Sequence, residues 1–183
     1  QAFARPFLNK GVKVFSAWAA NAVPVAEYTV AQILLASKGY FQNIQDLHKP
    51  DDWRTAYKGP GVYGESVAIV GVGMIGKLVI DLLKPFVLDV CVVSSHMSQE
   101  EADAMGVRRV TLEEAFRTCY VVSNHMANRP HTVGSIKGEH FESMRPNAVF
   151  INTGRGAQIV EEEMVEVLKE RADIIALLDV TFP

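Results

Sequence analysis

Three glycines in Gly71-Val72-Gly73-Met74-Ile75-Gly76 stand in the spacing G-x-G-x-x-G. Between a strand and a helix that spacing serves one chemistry, cradling the pyrophosphate of a dinucleotide. The first glycine permits a tight turn, the second lets backbone approach the phosphates, and the third lets helix and strand pack closely. The helix start then offers its free N–H groups to the anion. The context fits, because Val67-Ala68-Ile69-Val70 precedes the loop and an amphipathic pattern follows it.

About 20 residues further on, an NAD site of this kind ends its second strand in an acid that holds the ribose hydroxyls. Here that slot reads Val93-Ser94-Ser95-His96-Met97, without a carboxylate. Losing the acid removes repulsion against a 2′-phosphate, yet no arginine takes its place. Ser94, Ser95 and His96 can donate to a ribose hydroxyl or to a phosphate. NAD and NADP therefore both stay open, with a lean to NADP.

Short apolar runs position these residues: Ser66–Val70, Val90–Val93, Val107–Val110, Tyr120–Ser123, Val149–Asn152 and Ile174–Leu178. Runs this apolar suit strands covered on both faces, hence a parallel sheet. Between the first two, Ile75, Leu78, Val79, Leu82 and Leu83 repeat at helical spacing, and Pro85 stops the helix. Thr111 and Glu114 read as a capping box. Val160, Met164, Val167 and Leu168 mark a later helix whose first turn, Glu161 to Glu163, favours the positive helix end. The alternation predicts a doubly wound, three-layered α/β domain of Rossmann type.

The first third reads differently. Val12–Ser16 suggests a strand. Asn21 and Pro24 are helix-start signals, and the apolar run Val25–Ala36 predicts a helix buried on several sides with a polar tail to about Asp46. The loop Lys49–Gly64 carries Trp53, Tyr57 and Tyr63. Such aromatics pack either on their own domain or on a partner subunit.

A length of 183 residues suits one domain. Net charge is −3, with both signs interspersed. That argues against nucleic-acid and acidic-membrane partners, which need a basic face. No apolar run is long enough to span a membrane. The two cysteines, Cys91 and Cys119, lack metal spacing, and no metal is expected. They read as buried, reduced thiols of a cytoplasmic protein.

Four segments together resemble the D-isomer-specific 2-hydroxyacid dehydrogenases. These are Asn21-Ala22-Val23-Pro24-Val25-Ala26-Glu27, Trp53 ahead of Gly64 and the glycine loop, Val122-Ser123-Asn124-His125 with Pro130 and Thr132, and Met144 through Gly156 followed by Leu178-Asp179-Val180. The resemblance covers essentially the whole chain. It implies hydride transfer between NAD(P) and a small 2-hydroxy or 2-keto acid, such as hydroxypyruvate, glyoxylate or phosphohydroxypyruvate.

The same resemblance assigns residues. Arg155 matches the arginine that grips the substrate carboxylate, which suits a planar guanidinium. Met74 and Ile75 match the pair whose N–H groups face the pyrophosphate. Thr153 and Gly154 match positions beside the nicotinamide, and Asp179 matches the acid that holds its carboxamide. Ala127, Asn128 and Thr132 match the loop covering the cofactor, although the family usually has Pro and Leu where Ala127 and Asn128 stand. His125 reads as a loop or core histidine rather than the catalytic base. The family's catalytic glutamate and histidine, and its substrate domain, match nothing in this chain, so residues 1–183 are expected to be a fragment that binds cofactor without turnover. The resemblance also implies a homodimer, with residues 25–64 as its helix and arm. A corepressor-like protein that senses NAD(H) on the same fold is the alternative.

Overall fold

The computed structural model describes residues 3–48 and 54–182. Trp53 lies outside them. Six strands form one sheet: β1 (Glu65–Val70), β2 (Leu88–Val93), β3 (Arg108–Arg109), β4 (Val121–Asn124), β5 (Val149–Asn152) and β6 (Ile175–Leu178). Their order is β3-β2-β1-β4-β5-β6, and every pairing is parallel. This is the doubly wound arrangement that the alternation predicts. The order reverses between β1 and β4, which opens a crevice at their carboxyl ends.

Period-two side chains divide the core. Val67, Ile69, Val121, Val149 and Ile151 face one layer, whereas Ala68, Val70, Val122 and Phe150 face the other. The first layer holds α2 (Trp18–Ser37), α4 (Met74–Leu83) and α5 (Gln99–Met105). Opposite them lie α6 (Leu112–Thr118), α7 (Gly138–Glu142) and α8 (Glu161–Glu170). Two shorter helices, α1 (Arg5–Leu8) and α3 (Tyr40–Asp46), complete the set.

Four sequence expectations change. Residues 12–17 form no strand, since no neighbour pairs with them among the described residues. Helix α2 begins at Trp18 and carries Pro24 inside it. The carbonyl that the proline ring deprives of a partner belongs to Ala20, and both residues are exposed, so water can satisfy it. Gly39, at φ 73, ends α2 and starts a separate α3, so the polar tail is a second helix. Only one face of α2 is buried, and Val23, Tyr28 and Leu35 remain exposed.

Smaller differences concern α4 and α6. The buried face of α4 is Gly76, Val79, Ile80 and Leu83, which turns Leu82 outward. Thr111 caps α6 by accepting the N–H of Glu114 at 3.1 Å, but the carboxylate of Glu114 goes to Arg108 at 3.2 Å. The full capping box forms on α5 instead, between Ser98 and Glu101. In the arm, Tyr57 packs on its own domain: its hydroxyl lies 3.1 Å from that of Tyr120, and Asn43 bonds both its N–H and its carbonyl. Tyr63 is exposed.

Candidate functional site

The glycine loop lies at the crevice. Gly71 has φ +94, and a Cβ there would stand 2.7 Å from the N of Met126, so the β1 and β4 turns cross with no room for a side chain. Gly76 packs against the carbonyl oxygen of Gly71. A Cβ on Gly73 would meet nothing within 4 Å, so the backbone here borders open space. No side chain caps α4, which leaves the first-turn N–H groups, those of Met74, Ile75 and Gly76, for an anion. Open space beside Gly73 and an uncapped helix start fit a dinucleotide pyrophosphate.

At the end of β2, the hydroxyl of Ser94 accepts the N–H groups of His96 and Met97 at 3.3 and 3.2 Å. Its own proton stays available to a ligand. Ser95 is exposed beside it. A cleft of about 450 Å³, lined by Val72, Lys77, Ser94, His96 and Met97 among others, runs from here to α4. Lys77 falls on the polar face of α4 in the sequence, and only the fold brings it to this cleft.

Beyond β4, Ala127 and Asn128 are exposed. Thr132 ties the loop together, accepting the N–H of Arg129 at 3.0 Å and donating to Ala127 O at 2.8 Å. Its hydroxyl is thus used within the loop. His125 is buried, with Nε2 2.9 Å from Ser123 Oγ and Nδ1 3.2 Å from Thr153 Oγ1. Burial pushes its pKa down to about 4, so the ring is neutral at pH 7. Thr153 lies 3.4 Å from Thr29 of α2 in turn.

Arg155 is exposed between buried Gly154 and Gly156. Its guanidinium donates to Gly154 O at 2.6 Å. Asp179 follows β6, exposed, with its N–H on Asn152 O at 3.1 Å. The glycine loop, Thr153, Gly154, Arg155 and Asp179 therefore share the carboxyl edge of the sheet. Two buried amides that the sequence reading gave no role, Asn124 and Gln158, lie beneath that edge. Gln158 is the polar residue in the run Ala157-Gln158-Ile159-Val160, and an amide among apolar neighbours is the signal that could have found it.

The sequence pattern of the D-isomer specific 2-hydroxyacid dehydrogenase NAD binding domain matches residues 30–183. A D-3-phosphoglycerate dehydrogenase from Methanocaldococcus jannaschii is 31% identical over 173 residues, 94% of this chain and 33% of that protein. The chain thus spans about a third of that relative's length. Among solved structures, a Granulicella formate dehydrogenase superposes with TM-score 0.78 at 24% identity, over 97% of this chain and 48% of the other. The NAD+-bound 3-phosphoglycerate dehydrogenase of Entamoeba histolytica gives 0.69 at 24% identity, over 89% of this chain and 47% of the other. At such identities the two structures speak to the fold.

Proposed function

This chain belongs to the D-isomer-specific 2-hydroxyacid dehydrogenases, as their NAD-binding domain, and from that premise we propose that the protein reversibly reduces a small 2-keto acid with NAD(P)H. The observation that carries the reading is Arg155, exposed on the same sheet edge as the glycine loop. A substrate carboxylate would displace the neutral carbonyl of Gly154 from its guanidinium and pair with it bidentately. That pairing fixes the keto carbon relative to the nicotinamide. The bound dinucleotide supplies the hydride. Asp179 is the acceptor for the carboxamide, and Thr153 and Gly154 border its ring. His125 is not the proton donor, because both ring nitrogens are hydrogen-bonded and burial keeps the ring neutral.

Hydroxypyruvate, glyoxylate and phosphohydroxypyruvate are the substrate candidates, the last supported by the phosphoglycerate dehydrogenase relative. For the cofactor we favour NADPH. Lys77 and His96 line the cleft at the end of β2. Glu101, the acid there, is tied to the N–H of Ser98 at 2.9 Å. Exposed Tyr28 and Leu35, which share one face of α2, support a homodimer built on that face. Among the described residues no helix is long and apolar enough to cross a membrane. Two free, buried thiols, Cys91 and Cys119, fit the reducing cytoplasm.

The test is reduction of these three acids by the full-length protein with each cofactor, followed at the nicotinamide absorbance. Turnover supports the assignment, whereas cofactor binding without turnover of any 2-keto acid would overturn it.

A further inference from the structure

Three amides meet under the substrate edge, and all are fully buried: Asn124 at the end of β4, Asn152 opposite it at the end of β5, and Gln158 in the 3-10 turn after Arg155. Asn124 Nδ2 donates to Asn152 Oδ1 at 2.9 Å and to Gln158 Oε1 at 2.6 Å. Each amide also holds backbone. Gln158 Oε1 accepts the N–H of Arg155 at 3.2 Å, and Asn152 Nδ2 reaches Arg155 O at 3.4 Å. Asn152 Oδ1 accepts the N–H of Gly154 at 3.1 Å. On the cofactor side, Asn124 Oδ1 accepts the N–H of Met126 at 3.1 Å, and Gln158 Nε2 donates to Met126 O at 2.7 Å.

We propose that this triad, in which Gln158 bridges Arg155 and Met126, is a positioning device that fixes the backbone of Arg155 against the turn that starts the cofactor-covering loop. The proposal rests on the substrate role given to Arg155 above. Both polar backbone atoms of Arg155 are held from beneath, so the guanidinium swings from a fixed base. Through Met126 the same amides tie Arg155 to the turn at which that loop starts. Gly154 is part of the device. A Cβ there would lie 2.9 Å from Gln158 Oε1 and 3.0 Å from Asn124 Nδ2. Buried amides work as a set, because removing one strands the polar atoms of the others.

Gln158→Met, similar in size and without the hydrogen bonds, is the first variant to make in the full-length protein. Its kcat/KM for the 2-keto acid should fall about tenfold or more. Its Kd for NAD(P)H should stay within about threefold of the parent, and deuterium uptake across 154–158 and at Met126 should rise. Asn124→Leu/Gln158→Leu removes two partners together. It should recover melting temperature relative to Gln158→Met without recovering kcat/KM, and it carries the test alone if the single variant does not fold. Recovery of both together would mean that the amides serve stability only and would overturn the proposal. Unchanged exchange, or unchanged kcat/KM with faster exchange, would also overturn it. Absence of turnover in the parent protein defeats the assigned reaction, and the exchange comparison then still decides whether the clamp exists.

Discussion

His125 Nδ1 lies 3.2 Å from the hydroxyl of Thr153, which joins the end of β4 to the end of β5 inside the protein. With Ser123 on its other nitrogen, the ring links β4 to the turn after β5: His125 directly follows Asn124, and Thr153 stands two residues before Arg155. Among the described residues no charged group faces it at hydrogen-bond distance, and burial alone pushes its pKa down to about 4.

That depressed value sets a pH dependence of stability. In the unfolded chain the ring titrates near its ordinary 6.5. Between about pH 6.5 and 4 the unfolded state binds the extra proton, so stability falls as pH falls through this window. By linkage the loss is on the order of 3 kcal/mol near pH 4. His125→Gln should cost some stability at pH 8 and flatten the decline below 6.5. Urea midpoints measured from pH 8 to pH 4 test this, and parallel curves for the two proteins would rule it out.

Arg155→Lys replaces a fork with a point charge. A lysine cannot make two parallel bonds to a carboxylate. Cofactor affinity should be unchanged, while kcat/KM for the 2-keto acid falls roughly 100-fold, about 2.7 kcal/mol of transition-state binding. Steady-state kinetics beside a cofactor titration separate the two effects. Loss of cofactor binding in step with activity would mean that Arg155 supports the dinucleotide instead.

How far the sequence carries differs between fold and site. Five of the strands were legible because buried parallel strands are continuous apolar runs, as in Val67-Ala68-Ile69-Val70; β3, two exposed arginines, showed only through the valines that flank it. The start of α2 was not, because Pro24 usually marks a first turn and here sits inside the helix. Glycine spacing exposed the loop proposed to hold the phosphates, since the constraint is local backbone geometry. Asn124 and Gln158 stayed hidden because they are 34 positions apart. Only the pairing of β4 with β5, and the turn after Arg155, brings them together.

Gly71 and Gly73 should separate folding from binding. Gly71→Ala puts a side chain at φ +94 and drives it into the Met126 backbone, so the variant should lose several kcal/mol or fail to fold. Gly73→Ala meets open space at φ −81, which an alanine adopts without strain. Its melting temperature should match the parent within about two degrees, while NAD(P)H affinity drops about tenfold or more as the methyl group holds the pyrophosphate away. Calorimetric melting with a fluorescence titration reads both. Undiminished affinity in Gly73→Ala would place the phosphates elsewhere.

We propose that cofactor choice turns on Lys77 and Ser94, which line one cleft from α4 and from the end of β2. A 2′-phosphate held there gains a charge-assisted bond from the ammonium and a second from the serine hydroxyl. Lys77→Ala should weaken NADPH about five- to tenfold, as expected for a partly solvated pair, and leave NADH unchanged. Ser94→Asp installs an acid where NAD sites hold the ribose hydroxyls, and its carboxylate can still accept the N–H groups of His96 and Met97. That variant should tighten NADH and repel NADPH. Titrating parent and variants with both cofactors at two salt concentrations checks this, since a phosphate contact fades with salt and a ribose hydrogen bond does not. If Lys77→Ala weakens both cofactors equally, the lysine serves the shared pyrophosphate, and the preference for NADPH would have to be abandoned.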